Sequence, residues 1–482
     1  MDGKNGLCFG GGKCEECGRC NFYDTMTRKK ALTNLPGDFD PDIPSPDNSG
    51  EKRYGVAFDI GTTTVVGILW NLNENRLMDM ISKTNPQSRF GADVISRIAY
   101  TDGKPENLRD MQNLIIGCCN EMLDAFSEHH RFQKEWIRKS TVVGNTTMSH
   151  LFLGIDPSTL ARSPFKAGFS GPVTKTAREM GLHMNDAAEI LILPNIAGHV
   201  GSDIVGVLIA SGIKKKPGVT FAIDIGTNGE IVLGGKGSLL ACSTAAGPAF
   251  EGAGIYQGMR AAEGAIEKVG ILGGKVDIKV IGGKEPKGIC GSGLIDAIAV
   301  MLEAEVLNFK GNLKTKEEAL NGGLHPDLAN RLRKGPHGNE FVLAWGDGGE
   351  DIVVNQKDVR AVQLAKGAVF GGIRILLDSL GTESSKVDEI LLAGAFGSYI
   401  DVKNALRIGL LPDVGEKRIR HIGNAAGTGA CMALLSEKAK REAILQAGEV
   451  EHVELALHPD FEKQFLAGMY FPEGRCGGSD HE

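Results

Sequence analysis

Asp59-Ile60-Gly61-Thr62-Thr63-Thr64 and Asp224-Ile225-Gly226-Thr227-Asn228-Gly229 are nearly the same phrase, placed 165 residues apart in one chain. Each follows an apolar, β-prone run, at 54–58 in the first case and at 219–223 in the second. The pattern predicts a strand, a tight turn and a second strand at both places. A repeat of this kind indicates an architecture that is built twice.

The chemistry of these two turns suits phosphate. The glycine allows the backbone to turn where a Cβ would obstruct it, and the next residues present N–H groups and hydroxyls. The aspartate at each strand end, Asp59 or Asp224, offers a hard oxygen to a hydrated Mg²⁺. A single copy would be explained as a good hairpin sequence, but two copies favour a pair that grips one nucleotide triphosphate. The predicted phosphate contacts are Gly61, Thr62, Thr63, Thr64, Gly226, Thr227 and Asn228.

Composition excludes several classes of protein. A chain of 482 residues is long enough for two or three domains. Its net charge of −7 and its 6% aromatic content argue against a nucleic-acid binder. We find no apolar run near the ~20 residues of a spanning helix and no signal-peptide pattern, so we expect a cytoplasmic protein without a membrane partner.

Four cysteines lie within the first twenty residues. Cys8, Cys14, Cys17 and Cys20 form a C-x5-C-x2-C-x2-C array that is too short for a hydrophobic core of its own. A C-x2-C-x2-C triplet is typical of iron–sulfur ligation, so we predict a cluster, most simply [4Fe–4S], with Cys8 as the fourth ligand. Zinc and unligated thiols are the alternatives. Cys476 is a conceivable substitute ligand.

The rest of the chain reads as an α/β protein. Residues 28–53 are rich in proline, aspartate and serine, and their low apolar content predicts a semi-extended tether. Strands followed by crossover helices then predict a mixed sheet covered on both sides. The expected long elements include helices at 106–130, 355–380 and 424–446 and one from Cys290 to about Leu307. The expected division is a cysteine-rich segment (1–27), a linker (28–53), a first lobe (54–218), a second lobe (219–472) and a tail (473–482).

The two hairpins, together with Leu392-Ala393-Gly394-Ala395-Phe396-Gly397 after a long helix, resemble the superfamily of actin, sugar kinases, acetate kinase and heat-shock chaperones. This resemblance implies a duplicated, ribonuclease-H-like ATPase of two lobes with the nucleotide between them. It also implies that Gly394, Ala395 and Phe396 border the adenosine.

Longer phrases narrow the resemblance. Asn85-Pro86-Gln87, Gly91-Ala92-Asp93-Val94-Ile95-Ser96-Arg97, Val143-Gly144-Asn145-Thr146-Thr147-Met148 and the closing Tyr470-Phe471-Pro472 are similar to the ATP-dependent reductive activators of corrinoid proteins. The resemblance covers roughly residues 54–472. It implies ATP and Mg²⁺ as cofactors, a corrinoid protein of a methyltransferase system as partner, a ferredoxin-like or flavin reductant upstream, and a homodimer. Many members begin with a plant-type [2Fe–2S] ferredoxin and a further domain, where this chain has the compact cysteine array.

Site roles follow from the same resemblance. Asp59 and Asp224 should hold Mg²⁺ through water. The residue that orients the hydrolytic water is left open among Glu230, Glu251, Asn145 and Thr146. Gly247 and the stretch 291–293 precede apparent helix starts that favour an anion, with plain capping and close packing as the alternative.

Three other functions compete with corrinoid activation. A small-molecule kinase with a zinc-stabilised amino terminus would transfer phosphate to a metabolite. A chaperone or filament-forming protein would use ATP to change shape. An activator of another metalloenzyme, such as a dehydratase, shares the class but typically holds one cluster between two subunits.

Overall fold

The computed structural model describes residues 35–36, 39–41, 52–226, 228–346 and 348–473, with backbone only at Ala395. The cysteine array at 8–20, Cys476 and Thr227 lie outside the described residues. Within the described part, two six-stranded sheets organise the chain, one built from residues 54–192 and the other from residues 219–452.

The first sheet has the strand order β3-β2-β1-β4-β6-β5. Strand β2 runs antiparallel to β1, β4 runs parallel to β1, and β6 runs parallel to β4. The strands are β1 (Tyr54–Ile60), β2 (Thr64–Asn71), β3 (Arg76–Thr84), β4 (Ile137–Gly144), β5 (Val173–Thr176) and β6 (Glu189–Ile192).

The second sheet repeats this plan. Its strands are β7 (Val219–Ile225), β8 (Gly229–Gly235), β9 (Ser238–Thr244), β16 (Val387–Ala393), β17 (Ile419–Gly423) and β18 (Val450–His452). Their order is β17-β16-β7-β8-β9-β18, with β8 antiparallel to β7, β16 parallel to β7 and β17 parallel to β16. The prediction of an architecture built twice is confirmed.

Two small three-stranded sheets complete the second half. They are formed by β10 (Ala265–Leu272), β11 (Lys275–Val280) and β12 (Gly288–Ile289), and by β13 (Leu332–Gly335), β14 (Gly338–Ala344) and β15 (Ile352–Asn355). The sequence did not lead us to expect either of them, because their short strands carry no motif.

The helices lie on both sides of the two large sheets. They are Val94–Thr101, Pro105–His130, Thr146–Leu153, Ala177–Met180, Ser202–Ser211, Gly291–Glu303, Lys316–Asn321, Pro326–Ala329, Gln356–Leu380, Gly394–Gly397, Val402–Arg407, Ala425–Leu435, Glu437–Glu449 and Phe461–Met469. Among these described elements, none is long and apolar enough to cross a membrane.

Two predicted helices were too long. The segment predicted as one helix over 424–446 is two helices, because Ser436 adopts an extended conformation and its hydroxyl accepts from the Ala439 N–H to cap the second helix. The helix predicted to end near Leu307 ends at Glu303, where Glu305 takes a positive φ of 56°.

A pair of helices joins the two halves. The helix Ala425–Leu435 comes from the second half of the chain but packs on β1 and β4 of the first sheet, and it crosses the helix Ser202–Ser211. At the crossing, a Cβ built on Gly429 would lie 2.2 Å from the Gly206 carbonyl oxygen. Only glycine allows so close an approach.

The tether is not devoid of apolar contacts, contrary to the prediction. Leu35 and Phe39 are half-buried and pack against the hydrophobic cluster that includes Trp70 and the helix Ala425–Leu435. The Phe39 N–H donates to the Pro36 carbonyl oxygen at 2.8 Å, which closes a turn in this short segment. Two apolar side chains were enough to seat it, although its composition is mainly polar.

Candidate functional site

The first hairpin joins β1 to β2 and is tightly braced. The Gly61 N–H donates to the Thr64 carbonyl oxygen at 2.9 Å, and a Cβ at Gly61 would lie 2.7 Å from that same oxygen. Behind the turn, the Asn85 side chain donates to the Gly61 carbonyl oxygen at 2.8 Å and its N–H donates to the Thr63 carbonyl oxygen at 2.9 Å. The hairpin is therefore fixed before any ligand arrives.

Arg97 is a second brace that sequence reasoning quoted but gave no role. Its guanidinium is fully buried and donates to the carbonyl oxygens of Thr62 at 2.5 Å and Gly91 at 2.9 Å. Burial lowers the pKa of Arg97 to about 10. With these carbonyls occupied from behind, the N–H groups and hydroxyls of the hairpin are left on the opposite side.

The second hairpin joins β7 to β8, and Glu251 lies between it and the first. The Gly226 N–H donates to the Asn228 carbonyl oxygen at 3.0 Å, which closes the turn. The Thr63 hydroxyl donates to Glu251 Oε2 at 3.0 Å, while a Cβ at Gly226 would lie 3.6 Å from Glu251 Oε1. One carboxylate thus contacts the first hairpin and approaches the second.

Four other acidic side chains gather at this position. Burial, then the charges of Asp59 and Glu251, raises the pKa of Asp224 to about 7. Burial raises the pKa of Asp59 to about 6. Burial, then the charges of Asp203 and Asp224, raises the pKa of Glu230 well above its ordinary value. Such mutual repulsion marks a place where negative charge is concentrated.

Asp203 is the member of this group that the sequence did not reveal. It lies in the first turn of the helix Ser202–Ser211, and its Oδ1 accepts from the Ile204 N–H at 2.8 Å. Burial, then the charge of Asp224, raises its pKa to about 7. In the described ranges, no three His, Cys, Asp or Glu side chains converge closely enough to ligate one metal ion directly.

Asn424 connects this cluster to the helix Ala425–Leu435. Its side-chain amide donates to Asp59 Oδ2 at 2.8 Å, and its Oδ1 accepts from the Gly427 N–H at 2.7 Å as the helix cap. The hydrogen bond favours the charged form of Asp59 and opposes the effect of burial on its pKa. Sequence reasoning missed Asn424, since it lies 365 residues from its partner.

The two polar candidates of the first lobe behave differently. The Asn145 side chain donates to the Thr62 hydroxyl at 2.9 Å and caps the helix Thr146–Leu153 by accepting from the Met148 N–H at 3.0 Å. The Thr146 hydroxyl donates instead to the Ala197 carbonyl oxygen at 2.7 Å. Of the two, Asn145 is the one that reaches the hairpin.

The segment predicted to border the adenosine starts at the second sheet. Gly394 has a φ of +81°, and a Cβ there would lie 2.1 Å from Asp224 Oδ1. Phe396 stacks on Phe250 with ring centroids 5.6 Å apart. A Cβ at Gly291 would lie 2.5 Å from the Phe396 ring. The backbone at Gly394 therefore passes directly beside the aspartate of the second hairpin.

The two predicted anion-binding helix starts have packing roles. Gly247 precedes the short 3₁₀ turn Pro248–Glu251, which delivers Glu251 to the hairpins. The Ser292 hydroxyl donates to the Glu267 carbonyl oxygen at 3.0 Å, and a Cβ at Gly293 would lie 2.2 Å from the Ile266 carbonyl oxygen. The close-packing alternative accounts for these two residues.

Comparison with known proteins places this site in a family. The family described as the C-terminal domain of RACo, the ASKHA domain, matches residues 218–477, and the RACo middle region matches residues 54–216. The chain belongs to the RACo family. Membership confirms the predicted fold class, with the ASKHA domain in the second half.

Individual relatives agree with the RACo assignment. The chain is 39% identical over 431 residues to the corrinoid activation enzyme RamQ of Eubacterium limosum, covering 88% of this chain and 72% of that protein. It is 24% identical over 457 residues to the [Co(II) methylated amine-specific corrinoid protein] reductase of Methanosarcina barkeri, covering 87% and 78%. A solved RACo-family structure, the reductive activator for corrinoid,iron-sulfur protein, superposes with a TM-score of 0.77 at 37% identity, covering 88% and 67%.

Proposed function

We propose that this protein is an ATPase that reductively activates a corrinoid protein, returning inactive Co(II) to Co(I). The observation that carries the proposal is the pair of braced hairpins bridged by Glu251, in a chain similar to corrinoid activation enzymes over most of its length. The sugar-kinase and chaperone alternatives share the hairpins but not these relatives.

The nucleotide would lie between the two hairpins. The concentrated negative charge of Asp59, Asp203 and Asp224 fits a hydrated Mg²⁺, which neutralises phosphate charge when bound. The N–H groups around Gly61 and Gly226 would hold phosphate oxygens. Gly394, Ala395 and Phe396 would border the adenosine. The water that attacks the terminal phosphate would be oriented by Glu251, because its carboxylate already lies between the hairpins.

The electron would come from an iron–sulfur cluster on Cys8, Cys14, Cys17 and Cys20, with Cys476 as the alternative fourth ligand. One electron leaves the reduced cluster and converts Co(II) to Co(I), and a ferredoxin-like or flavin reductant then restores the cluster. ATP hydrolysis makes this uphill transfer possible when the two nucleotide states bind the corrinoid protein differently. The upstream reductant, a homodimer and a cytoplasmic location stay predictions.

The decisive experiment follows Co(I) formation by absorbance under anaerobic conditions, with a corrinoid protein of a methyltransferase system and a low-potential reductant. We expect ATP with Mg²⁺ to be required and Asp224→Asn to lower the rate at least about 100-fold, as for loss of a charged group that positions the reacting phosphate. Asp186→Asn, at an exposed ion pair with Arg178, is the matched control and should match wild type. Equal Co(I) yields with and without ATP would contradict the proposal.

The cluster is tested separately by assaying iron, acid-labile sulfide and zinc in anaerobically purified protein. About four irons with matching sulfide per chain are expected. Both should fall when Cys14, Cys17 and Cys20 are replaced by serine. Stoichiometric zinc without sulfide would favour the kinase alternative, whose signature is phosphate transfer to a metabolite.

A further inference from the structure

The described residues of the tether, 35–36 and 39–41, are called the strap here. Leu35 lies in a depression formed by Ile68, Trp70, Leu77 and Met80 of β2 and β3 on one side and by the helix Ala425–Leu435 on the other. Phe39 packs against the same hydrophobic cluster. Trp70 is only 6% exposed, and its indole N–H donates to the Cys431 sulfur at 3.2 Å, so the wall of this seat is rigid.

The seat and the nucleotide site share one residue. Asn424 lines a cavity of about 30 Å³ beneath Leu35, and the same side chain donates to Asp59 at the first hairpin. Thr428, which also lines the cavity, donates its hydroxyl proton to the Asn424 carbonyl oxygen at 2.9 Å. A change at Asp59 is therefore two contacts away from the strap.

Seating the strap shortens the reach of the cysteine array. From Cys20 to Tyr54 the chain has 34 residues, which span at most about 115 Å when fully extended. From Cys20 to Leu35 it has 15 residues, which span at most about 50 Å. With Leu35 in its seat, the array cannot move farther than this shorter distance from the face formed by β2 and β3.

A cation at the first hairpin acts on this arrangement through Asn424. Mg²⁺ and the Asn424 amide protons are both positive and compete for the Asp59 carboxylate, so a bound cation weakens their hydrogen bond. The amide then needs another partner, and the space beside it is the cavity under Leu35, which is about the size of one water molecule. A polar group or a water in that cavity weakens an apolar contact with Leu35.

We infer that the seat is an intramolecular docking site for the strap, and that Mg²⁺–nucleotide binding releases the strap by drawing Asn424 away from Asp59. The nucleotide-free protein keeps the array on a short leash, and the nucleotide-bound protein gives it the full length of the tether. The inference rests on the proposed function for the role of the array as electron donor, but not for the docking itself.

Trp70 reports on the seat. In full-length protein carrying Trp136→Phe and Trp345→Phe, acrylamide quenching measures the exposure of Trp70 alone. Leu35→Asp should raise the quenching constant at least about twofold, and Leu35→Ser should do the same with less perturbation. Asp40→Asn, at an exposed position of the same strap, is the control and should leave it unchanged. Mg²⁺ with a non-hydrolysable ATP analogue should raise quenching in the intact strap but not in Leu35→Asp.

Two results would overturn the inference. Equal quenching of Leu35→Asp, Leu35→Ser and the parent protein would mean that the seat is empty in solution. Strap-dependent quenching that ignores bound Mg²⁺–nucleotide, with binding verified by calorimetry, would remove the release step. Neither cobalt nor the cluster enters this measurement, so a failure of corrinoid reduction or a zinc-loaded array would contradict the proposed function and leave this result standing.

Discussion

At the scale of single residues, Glu251 combines two tasks that substitution can separate. Its carboxylate accepts from the Thr63 hydroxyl and lies near Gly226, so it links the hairpins and is also placed to orient a water. Glutamine keeps an oxygen that accepts from Thr63 but cannot take a proton, whereas alanine loses both properties.

We expect Glu251→Gln and Glu251→Ala to lower kcat for ATP hydrolysis by about 100-fold or more, the usual effect of losing a general base. Only the alanine variant should also raise KM, because it alone breaks the link between the lobes. Steady-state hydrolysis gives both parameters. If Glu251→Gln hydrolyses ATP like wild type, the carboxylate serves only as a link, and Glu230→Gln becomes the variant to assay.

The acidic cluster makes stability depend on pH in a defined direction. The folded pKa values of about 7 for Asp203 and Asp224 and about 6 for Asp59 lie above the ordinary 3.8. The folded state therefore holds protons more tightly than the unfolded state. This contribution is fully present below pH 4 and is lost as the pH rises through 6 to 7.

In metal-free protein, Asp224→Asn should raise the melting temperature relative to wild type by several degrees at pH 8, and by less at pH 5.5. The affinity for Mg²⁺–nucleotide should change in the opposite sense in wild type and strengthen as the pH rises through 7, because the cation binds the deprotonated carboxylates. Differential scanning fluorimetry with and without Mg²⁺–nucleotide measures both effects. An Asp224→Asn melting curve that parallels wild type at every pH would contradict the assignment.

At the scale of elements, two helices start at the site and cross at a pair of glycines. Asp203 lies in the first turn of one helix and Asn424 caps the other, so their crossing sets the distance between these polar groups. A methyl group at Gly429 meets the Gly206 backbone, which has no flexible atoms to move aside. The helices must therefore separate to accept it.

Gly429→Ala should destabilise the protein by about 1–3 kcal/mol, the usual cost of overpacking, and should weaken nucleotide binding as well. Gly448→Ala is the matched control, because Gly448 is exposed in the helix Glu437–Glu449 and a Cβ there meets no atom within 4 Å. That control should be neutral or stabilise by about 0.5–1 kcal/mol through helix propensity. Urea unfolding and nucleotide titration of both variants test the expectation.

At the scale of the whole molecule, local phrases were easier to interpret than distant contacts. The sequence predicted both hairpins, because a strand, a turn and a strand lie within fifteen residues of each other, and the duplication followed from their likeness. Asp203, Asn424 and Arg97 could not be assigned roles, since each acts on a residue that only the folded chain brings near. Leu35 was missed for the opposite reason, because two apolar residues do not change the average composition of a polar tether.

The helix Ala425–Leu435 has a consequence for biosynthesis. It covers β1 and β4 in the folded protein, yet the ribosome makes Ala425 some 368 residues after Ala57. At ordinary translation speeds of 5–20 residues per second, the first sheet waits roughly 20 to 70 s for the helix that covers it. During that interval its apolar face, including Ala57 and Val143, is open to other chains. A ribosome that stalls before this helix releases a first lobe that is left without its cover, a natural client for chaperones.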